Sequence, residues 1–234
     1  MKINNIDISK FKAKLMSRSI RNVDFSVETF WPKKSINPYI NENVEHKFKE
    51  LNMTLDLLCS NANELEIIKS NLEKELEIST IEFDDIENFK YYGFCIEPPL
   101  ISEYIVPGNE IISVKMHVYC VGKLKEEILN KVNFKSIKNP GNLETPAIVE
   151  IIPSIDAIDL QIEGLSNDPI IIKNLHANKK IIINGKEGLI TEDGINKFND
   201  TDFWEFPFLN PGENQIKLSK DNCNVVIKFE PRYR

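Results

Sequence analysis

The sequence has little of what marks an enzyme, a metalloprotein or a membrane protein. Its 234 residues include three histidines and four cysteines, and neither type clusters. His46, His117 and His176 have no acid or hydroxyl at a recognisable spacing, so each reads as a satisfied or surface side chain. Cys59, Cys95, Cys120 and Cys223 form no CxxC and have no histidine at ligand spacing, which argues against a zinc site or a disulfide framework. They read as buried thiols that behave as small hydrophobes. No GxSxG, GxxxxGK(S/T), HExxH or GxGxxG occurs. No apolar run approaches the ~20 residues of a membrane-spanning helix. The start, Met1-Lys2-Ile3-Asn4-Asn5-Ile6-Asp7, is too polar for the apolar centre of a signal peptide. These absences predict synthesis in a cytoplasm, no membrane partner and no cofactor.

An excess of positive charge is missing too. The net charge is −7, spread over both halves, whereas nucleic-acid affinity comes mainly from basic contacts to phosphate. No specific nucleic-acid partner is expected. Locally, Lys2, Lys10, Lys12, Lys14, Arg18 and Arg21 make the start basic, and residues 64–87 are strongly acidic. These patches read either as solvated faces or as surfaces that meet across a subunit boundary.

What the chain does have is strand pattern. Residues 11–16, 23–30 and 48–57 alternate apolar with polar, as half-buried strands do. Residues 31–44, with Pro32 and Pro38, read as a loop. Residues 63–77 give one helix: Asn63 caps it, Glu66 reaches back, and Leu65, Ile68, Leu72 and Leu76 form one stripe. Further strands are expected at Thr80–Phe83, Lys90–Ile96 and Glu110–Val121, with a turn at Pro107-Gly108-Asn109. Residues 123–137 suggest a short helical turn. The polar Lys138-Asn139-Pro140-Gly141-Asn142 segment then reads as a linker, dividing an N-terminal domain, 1–138, from a C-terminal domain, 139–234. The C-terminal part is all strands with polar turns between, the pattern of a sandwich. Within it, Trp204-Glu205-Phe206-Pro207-Phe208-Leu209 predicts a buried strand end, Pro211-Gly212 a type II turn, and residues 215–218 the returning arm of a hairpin.

Two groups of residues could carry chemistry. Asp84-Asp85-Ile86-Glu87 offers hard oxygen ligands for calcium, but lacks the spacing and glycine of an EF-hand loop and reads as a solvated turn. Glu205 beside Trp204 would suit a sugar, with the ring stacking and the carboxylate binding hydroxyls, yet its Phe-Pro surroundings predict burial. No pair of carboxylates is placed for hydrolysis. No catalytic, cofactor-binding or metal residue is therefore assigned, and the chain is not expected to be an enzyme.

The order of features resembles the distal tail protein (Dit) family of long-tailed bacteriophages and related phage-tail-like particles. One block is Ile81-Glu82-Phe83-Asp84-Asp85 with Tyr91-Tyr92-Gly93 and the strand ending near Cys120. The other runs from Asn139-Pro140-Gly141-Asn142 and Thr145-Pro146 through Ile183-Asn184-Gly185 and Phe206-Pro207-Phe208-Leu209-Asn210-Pro211-Gly212-Glu213-Asn214-Gln215-Ile216 to Phe229-Glu230-Pro231-Arg232-Tyr233. Family members often carry a glycine-rich loop where residues 31–44 here have none. The resemblance implies a mainly β protein: an α+β N-terminal domain, a sandwich or split barrel with one helix, and a galectin-like C-terminal sandwich. It implies a homohexameric ring in the virion tail, joining the tail tube protein to tail-tip or tail-associated proteins and, through them, receptor-binding proteins. The alternative function is a carbohydrate-binding module that contacts host-wall glycans through Trp204 or Trp31.

Overall fold

A computed structural model of the chain describes residues 1–22, 28–40 and 48–234, with the backbone alone at 101–105. The expected strand at 23–30, part of the expected loop at 31–44, and His46 therefore fall partly or wholly outside the described residues. The chain divides into two units, Met1–Cys120 and Val121–Tyr233.

The first unit is built on one sheet whose strands lie in the spatial order Ile6–Asp7, Lys2–Ile3, Ile78–Glu82, Phe89–Cys95, Asn109–Gly122, Lys49–Leu58 and Ala13–Arg21. Leu100–Val106 also pairs with Asn109–Gly122, through the Pro107-Gly108 turn in which Gly108 has φ +94°. The expected alternation holds along the longest strand. Ile112, Val114, Met116, Val118 and Cys120 are buried, and so are Leu51, Met53, Leu55 and Leu57 of its antiparallel neighbour. Phe11, read as strand, instead ends a 3-10 turn at Ile8–Phe11. There Asp7 accepts from Ser9 N–H, and the strand starts at Ala13.

The helix runs Ala62–Leu76 and buries Leu65, Leu72 and Leu76. Its cap is Asn61 rather than Asn63: Asn61 Oδ1 accepts from Glu64 N–H at 3.0 Å, and Glu64 Oε2 accepts from Ser60 N–H at 2.7 Å. Asn61/Glu64 and Asn63/Glu66 offer the same capping spacing in overlapping registers. Choosing the earlier one leaves Glu66 free to pair with Lys69 at 2.7 Å, and Lys69 also reaches the buried carboxylate of Glu110 at 2.9 Å. Lys69, expected to be wet, is thus largely covered.

The second unit is a sandwich of two antiparallel sheets. One contains Lys125–Asn130, Cys223–Phe229, Thr145–Pro153, Ile181–Asn184, Leu189–Glu192 and Ile195–Asn196, with Phe208–Leu209 added to Thr145–Pro153. The other contains Phe134–Asn139, Gly212–Leu218, Ala157–Glu163, Ile170–Leu175 and Thr201–Asp202. Their inner faces supply one core that includes Val149, Ile151, Ile162, Ile172, Ile183, Ile216, Ile227 and Phe229. Buried and more exposed positions alternate along most of these strands, as a two-sheet packing requires, although several outward positions are also apolar, among them Ile148, Ile171, Ile182 and Val226.

Two readings of this region need correction. Residues 123–137 do not form a helical turn. They carry Lys125–Asn130 on Cys223–Phe229 and part of Phe134–Asn139 on Gly212–Leu218. These strands belong to the second unit, so the division at Cys120/Val121 precedes the polar segment at 138–142. Partners distant in sequence, from Asn139↔Gly212 to Lys125↔Phe229, decide this, and no local pattern reports them. Likewise Phe208–Leu209 and Gly212–Leu218 are not two arms of a hairpin. They lie in different sheets, and Asn210-Pro211 carries the chain from one to the other. Gly212 does adopt the positive φ, +90°, that the Pro-Gly turn demands.

Candidate docking surfaces

The first unit leaves an aromatic face outward. Along Phe89–Cys95, Tyr91 points into the core while Tyr92 and Phe94 point away. Along Asn109–Gly122, His117 and Tyr119 alternate outward with the buried Met116, Val118 and Cys120. The outward rings assemble. Tyr92 stacks on Tyr119 with centroids 5.7 Å apart. Phe48 stacks on His117 at 6.0 Å, and Phe94 meets both edge-on at 5.4 and 5.9 Å. Phe48 and Phe94 remain partly exposed. His117 is therefore a packed ring in an aromatic cluster, which fits its reading as a satisfied side chain.

A second apolar display is the short ribbon in which Thr29–Phe30 pairs with Tyr39–Ile40. It forms its own two-stranded sheet. Phe30, Trp31, Tyr39 and Ile40 are exposed, and Ile36 is 92 % exposed. Trp31 Nε1 donates to Ser35 O at 3.0 Å, which folds the tip back on itself. An isolated two-stranded ribbon is marginal in water. Large exposed apolar groups on it mark a contact surface.

The acidic turn does not present a cation site. Asp85 takes both guanidinium nitrogens of Arg18, at 2.7 and 2.5 Å, and Arg18 lies over the Phe83 ring with its guanidinium carbon 4.1 Å from the centroid. Asp84 accepts from the Met1 ammonium at 2.6 Å. Arg18 holds the Asp85 carboxyl below its ordinary range. The basic start and the acidic run thus meet within one chain, at these two residues. Among the described residues no group of three or more His, Cys, Asp and Glu is placed to hold a metal ion.

The thiols divide. Cys120 and Cys223 are buried, whereas Cys59 and Cys95, expected to be buried, are only half-covered. Burial pushes the Cys95 thiol up to about 11, so it is a poor nucleophile at neutral pH.

In the second unit, Lys197 is 5 % exposed and its ammonium donates to Asn174 O (2.8 Å), Asp200 Oδ2 (3.1 Å) and Glu192 Oε2 (3.2 Å). His176 Nδ1 lies 3.1 Å from Glu192 Oε1. Burial by itself raises the Glu192 carboxyl, but the bonds from His176 and Lys197 outweigh it, and the net shift is downward. A carboxyl depressed on folding stabilises fully above its unfolded value, ordinarily 4.5. That contribution is lost as pH falls through the lower folded value. Stability measured between about pH 5 and pH 3 should therefore fall more steeply for the parent than for Glu192→Gln.

The motif polar residues of this unit are structural. Asn139 Nδ2 donates to Thr145 Oγ1 and to Leu209 O, both at 3.2 Å, and its Oδ1 accepts from Gly141 N–H at 3.0 Å. Thr145 Oγ1 also accepts from Arg232 N–H at 3.0 Å. One buried network thereby ties the 139–145 segment to residue 209 and to the chain end. Trp204 is the exception: it is 87 % exposed, and Glu205 is exposed beside it, against the burial expected from their neighbours.

The chain is thus a two-unit β protein whose displayed groups are suited to docking. Residues 140–233 match the family described as siphovirus-type tail component, C-terminal domain. Among solved structures, the Dit (gp 19.1) protein of bacteriophage SPP1, described as a paradigm of the hub adsorption apparatus in phages infecting Gram-positive bacteria, has a TM-score of 0.77 at 12 % identity. It covers 99 % of this chain and 98 % of that one. The baseplate of phage p2 in its activated conformation, determined with Ca and with Sr, gives TM-scores of 0.58 and 0.57 at 13 % and 14 % identity. Both matches cover 95 % of this chain and 92 % of the other. A comparison with curated protein sequences gives no match. The family match is confined to the second unit, and over its length the chain shares the fold of the SPP1 Dit protein.

Proposed function

We propose that this protein is the hub adaptor of its tail: a homohexameric ring that joins the tail tube to tail-tip or tail-associated proteins, with receptor-binding proteins attached beyond them. The observation that carries this reading is the pair of exposed apolar surfaces on the first unit, the Phe48/Phe94/His117 face and the ribbon at 29–40. Two different patches on one chain, each able to cover the other on a neighbouring copy, favour head-to-tail contact, and a head-to-tail contact that closes makes a ring. The exposed acidic groups Glu73, Glu77 and Glu87 would suit a lumen through which DNA passes without adhering, since like charges repel phosphate.

Sedimentation velocity and negative-stain imaging of the full chain, alone and with the tail-tube protein, test the proposal. A hexameric mass and ring images are expected. Phe94→Ala combined with Trp31→Ala should shift the population to monomer while leaving the thermal midpoint within about 3 °C. A parent that stays monomeric at high concentration and with its tail partners present would defeat the reading.

A further inference from the structure

Trp204 does not hang on a loose loop. Phe203 and Phe206, on either side of it in sequence, turn inward against the sandwich core. Their rings meet edge-on at 5.1 Å, and Phe203 meets Phe198 in the same way at 6.1 Å. The Phe206 ring lies over Gly188. Phe208 N–H donates to Leu165 O at 2.6 Å, lacing the 203–207 segment to the loop at 164–168. Three loops of the second unit are therefore locked together around a row of phenylalanines. The indole of Trp204 is turned out of this row, and Phe198 is half exposed beside it in the chain of ring contacts.

The adjoining polar groups are held as firmly. Glu205 accepts from Asn167 N–H at 3.2 Å and from Asn167 Nδ2 at 2.9 and 3.2 Å. Carboxylate and carboxamide are thereby fixed in one orientation next to the indole. Ser166 donates to Asp168 O, closing the loop that carries Asn167. An exposed tryptophan on a rigid support, flanked by an oriented planar acid and amide, presents an apolar ring face together with paired hydroxyl-binding groups. Ordering it on binding costs little entropy.

We propose that this ridge is a saccharide-binding surface, in which a sugar ring packs its C–H face on Trp204 while Glu205 and Asn167 bind neighbouring hydroxyls. The site is an open ridge, so it fits a polymer chain rather than an enclosed small molecule. Exposed Asp168 and Glu205, beside an Asp202 that pairs with Lys173 at 3.7 Å, give it a net negative surround that repels phosphate-bearing polymers. The ligand class is therefore a neutral or N-acetylated polysaccharide. The ridge lies within a single second unit, so ring formation and saccharide binding can fail separately.

The test uses the full chain carrying Trp31→Phe, which leaves Trp204 as its one tryptophan. Soluble neutral β-glucan and galactan and oligomers of N-acetylglucosamine are titrated against its fluorescence, with polyglycerol phosphate as a counter-probe. Saturable quenching by at least one neutral polymer is expected, with none by the phosphate polymer. Retention on the immobilised polymer should be lost in Trp204→Ala and weakened about tenfold in Glu205→Gln, the scale of one stacked ring or one charged hydrogen bond. Melting temperatures of both variants should match the parent. No binding across the neutral panel by folded protein would overturn the proposal, as would retention unchanged by Trp204→Ala or binding confined to polyglycerol phosphate. Trp204-dependent capture of a tail protein with no saccharide binding would also overturn it, and would assign the ridge to protein docking.

Discussion

Gly93→Ala is expected to destabilise the protein by roughly 3 kcal/mol or more. Gly93 lies in the middle of Phe89–Cys95, against the longest strand of the first unit. A Cβ there would stand 2.0 Å from His117 O and 2.7 Å from Val118 Cγ1. The first of those contacts is with backbone, which cannot rotate away. The strands must separate, and separating them breaks ladder hydrogen bonds and opens the packing of Val118 and Met116, both buried. Thermal unfolding should report a midpoint lower by about 6–12 °C. The same displacement moves Phe94 and His117, so ring assembly should fail in parallel. Tyr92→Ala is the matched control. Its side chain sits on the outer face against Tyr119 and should cost about 1 kcal/mol. Equal effects of the two substitutions would show that the close strand approach at Gly93 is not what holds the sheet.

Asn214→Leu carries the second large effect, about 2–4 kcal/mol. Asn214 is 6 % exposed and serves the point where the chain crosses between the two sheets. Its Oδ1 accepts from Asn210 N–H at 2.9 Å, and its Nδ2 donates to Asn210 O at 2.9 Å and to Gly212 O at 3.1 Å. Leucine fills a similar volume but leaves these backbone groups without partners, and unsatisfied buried groups carry their full desolvation cost. Asn214→Asp separates shape from hydrogen bonding. An ionised carboxylate can still accept from Asn210 N–H but cannot donate to the two carbonyls. Its protonated form can donate, so folding should raise the pKa of the new carboxyl. A group raised on folding gains stability as pH falls, so Asn214→Asp should recover part of its loss under acid conditions. Urea unfolding at neutral and acid pH measures both. A leucine variant as stable as the parent would mean the crossing is held by Pro211 and Gly212 alone.

The Pro-Gly-x-Asn run illustrates how far sequence reading reaches. Proline and glycine report the turn, because their φ restrictions are properties of single residues. The partner of Asn214 is invisible, because an asparagine side chain bonds to whatever backbone the fold brings near it. The helix shows the same limit on a smaller scale. Its stripe of Leu65, Leu72 and Leu76 fixes its existence and its buried face, whereas two asparagines with equivalent glutamates left the cap ambiguous by two residues. Trp204 was misread because an aromatic cluster around a proline reports enough apolar surface to fill a core without saying which rings fill it. Phe203 and Phe206 take that place, and the indole between them is left outside. The Dit resemblance was legible from residues with structural duties, Asn139, Thr145, Asn214 and Gly93, since these lock backbone geometry. The docking surfaces were not, because outward aromatic rings such as Tyr92, Phe94 and Tyr119 look the same in sequence as the inward Tyr91.

By itself the sequence determined the class of this protein: a mainly β chain with one helix, strands of period two and turns at fixed Pro-Gly points. Those features follow from intrinsic backbone preferences and from the alternation of apolar side chains, both of which act over a few residues. Only the tertiary structure decided that residues 125–139 join the second unit, that residues 208 and 212 lie in opposite sheets, and that Trp204 faces solvent. Each of those depends on which distant strand satisfies a given edge and which of several apolar groups reaches the core first, and such choices are made by the whole chain at once.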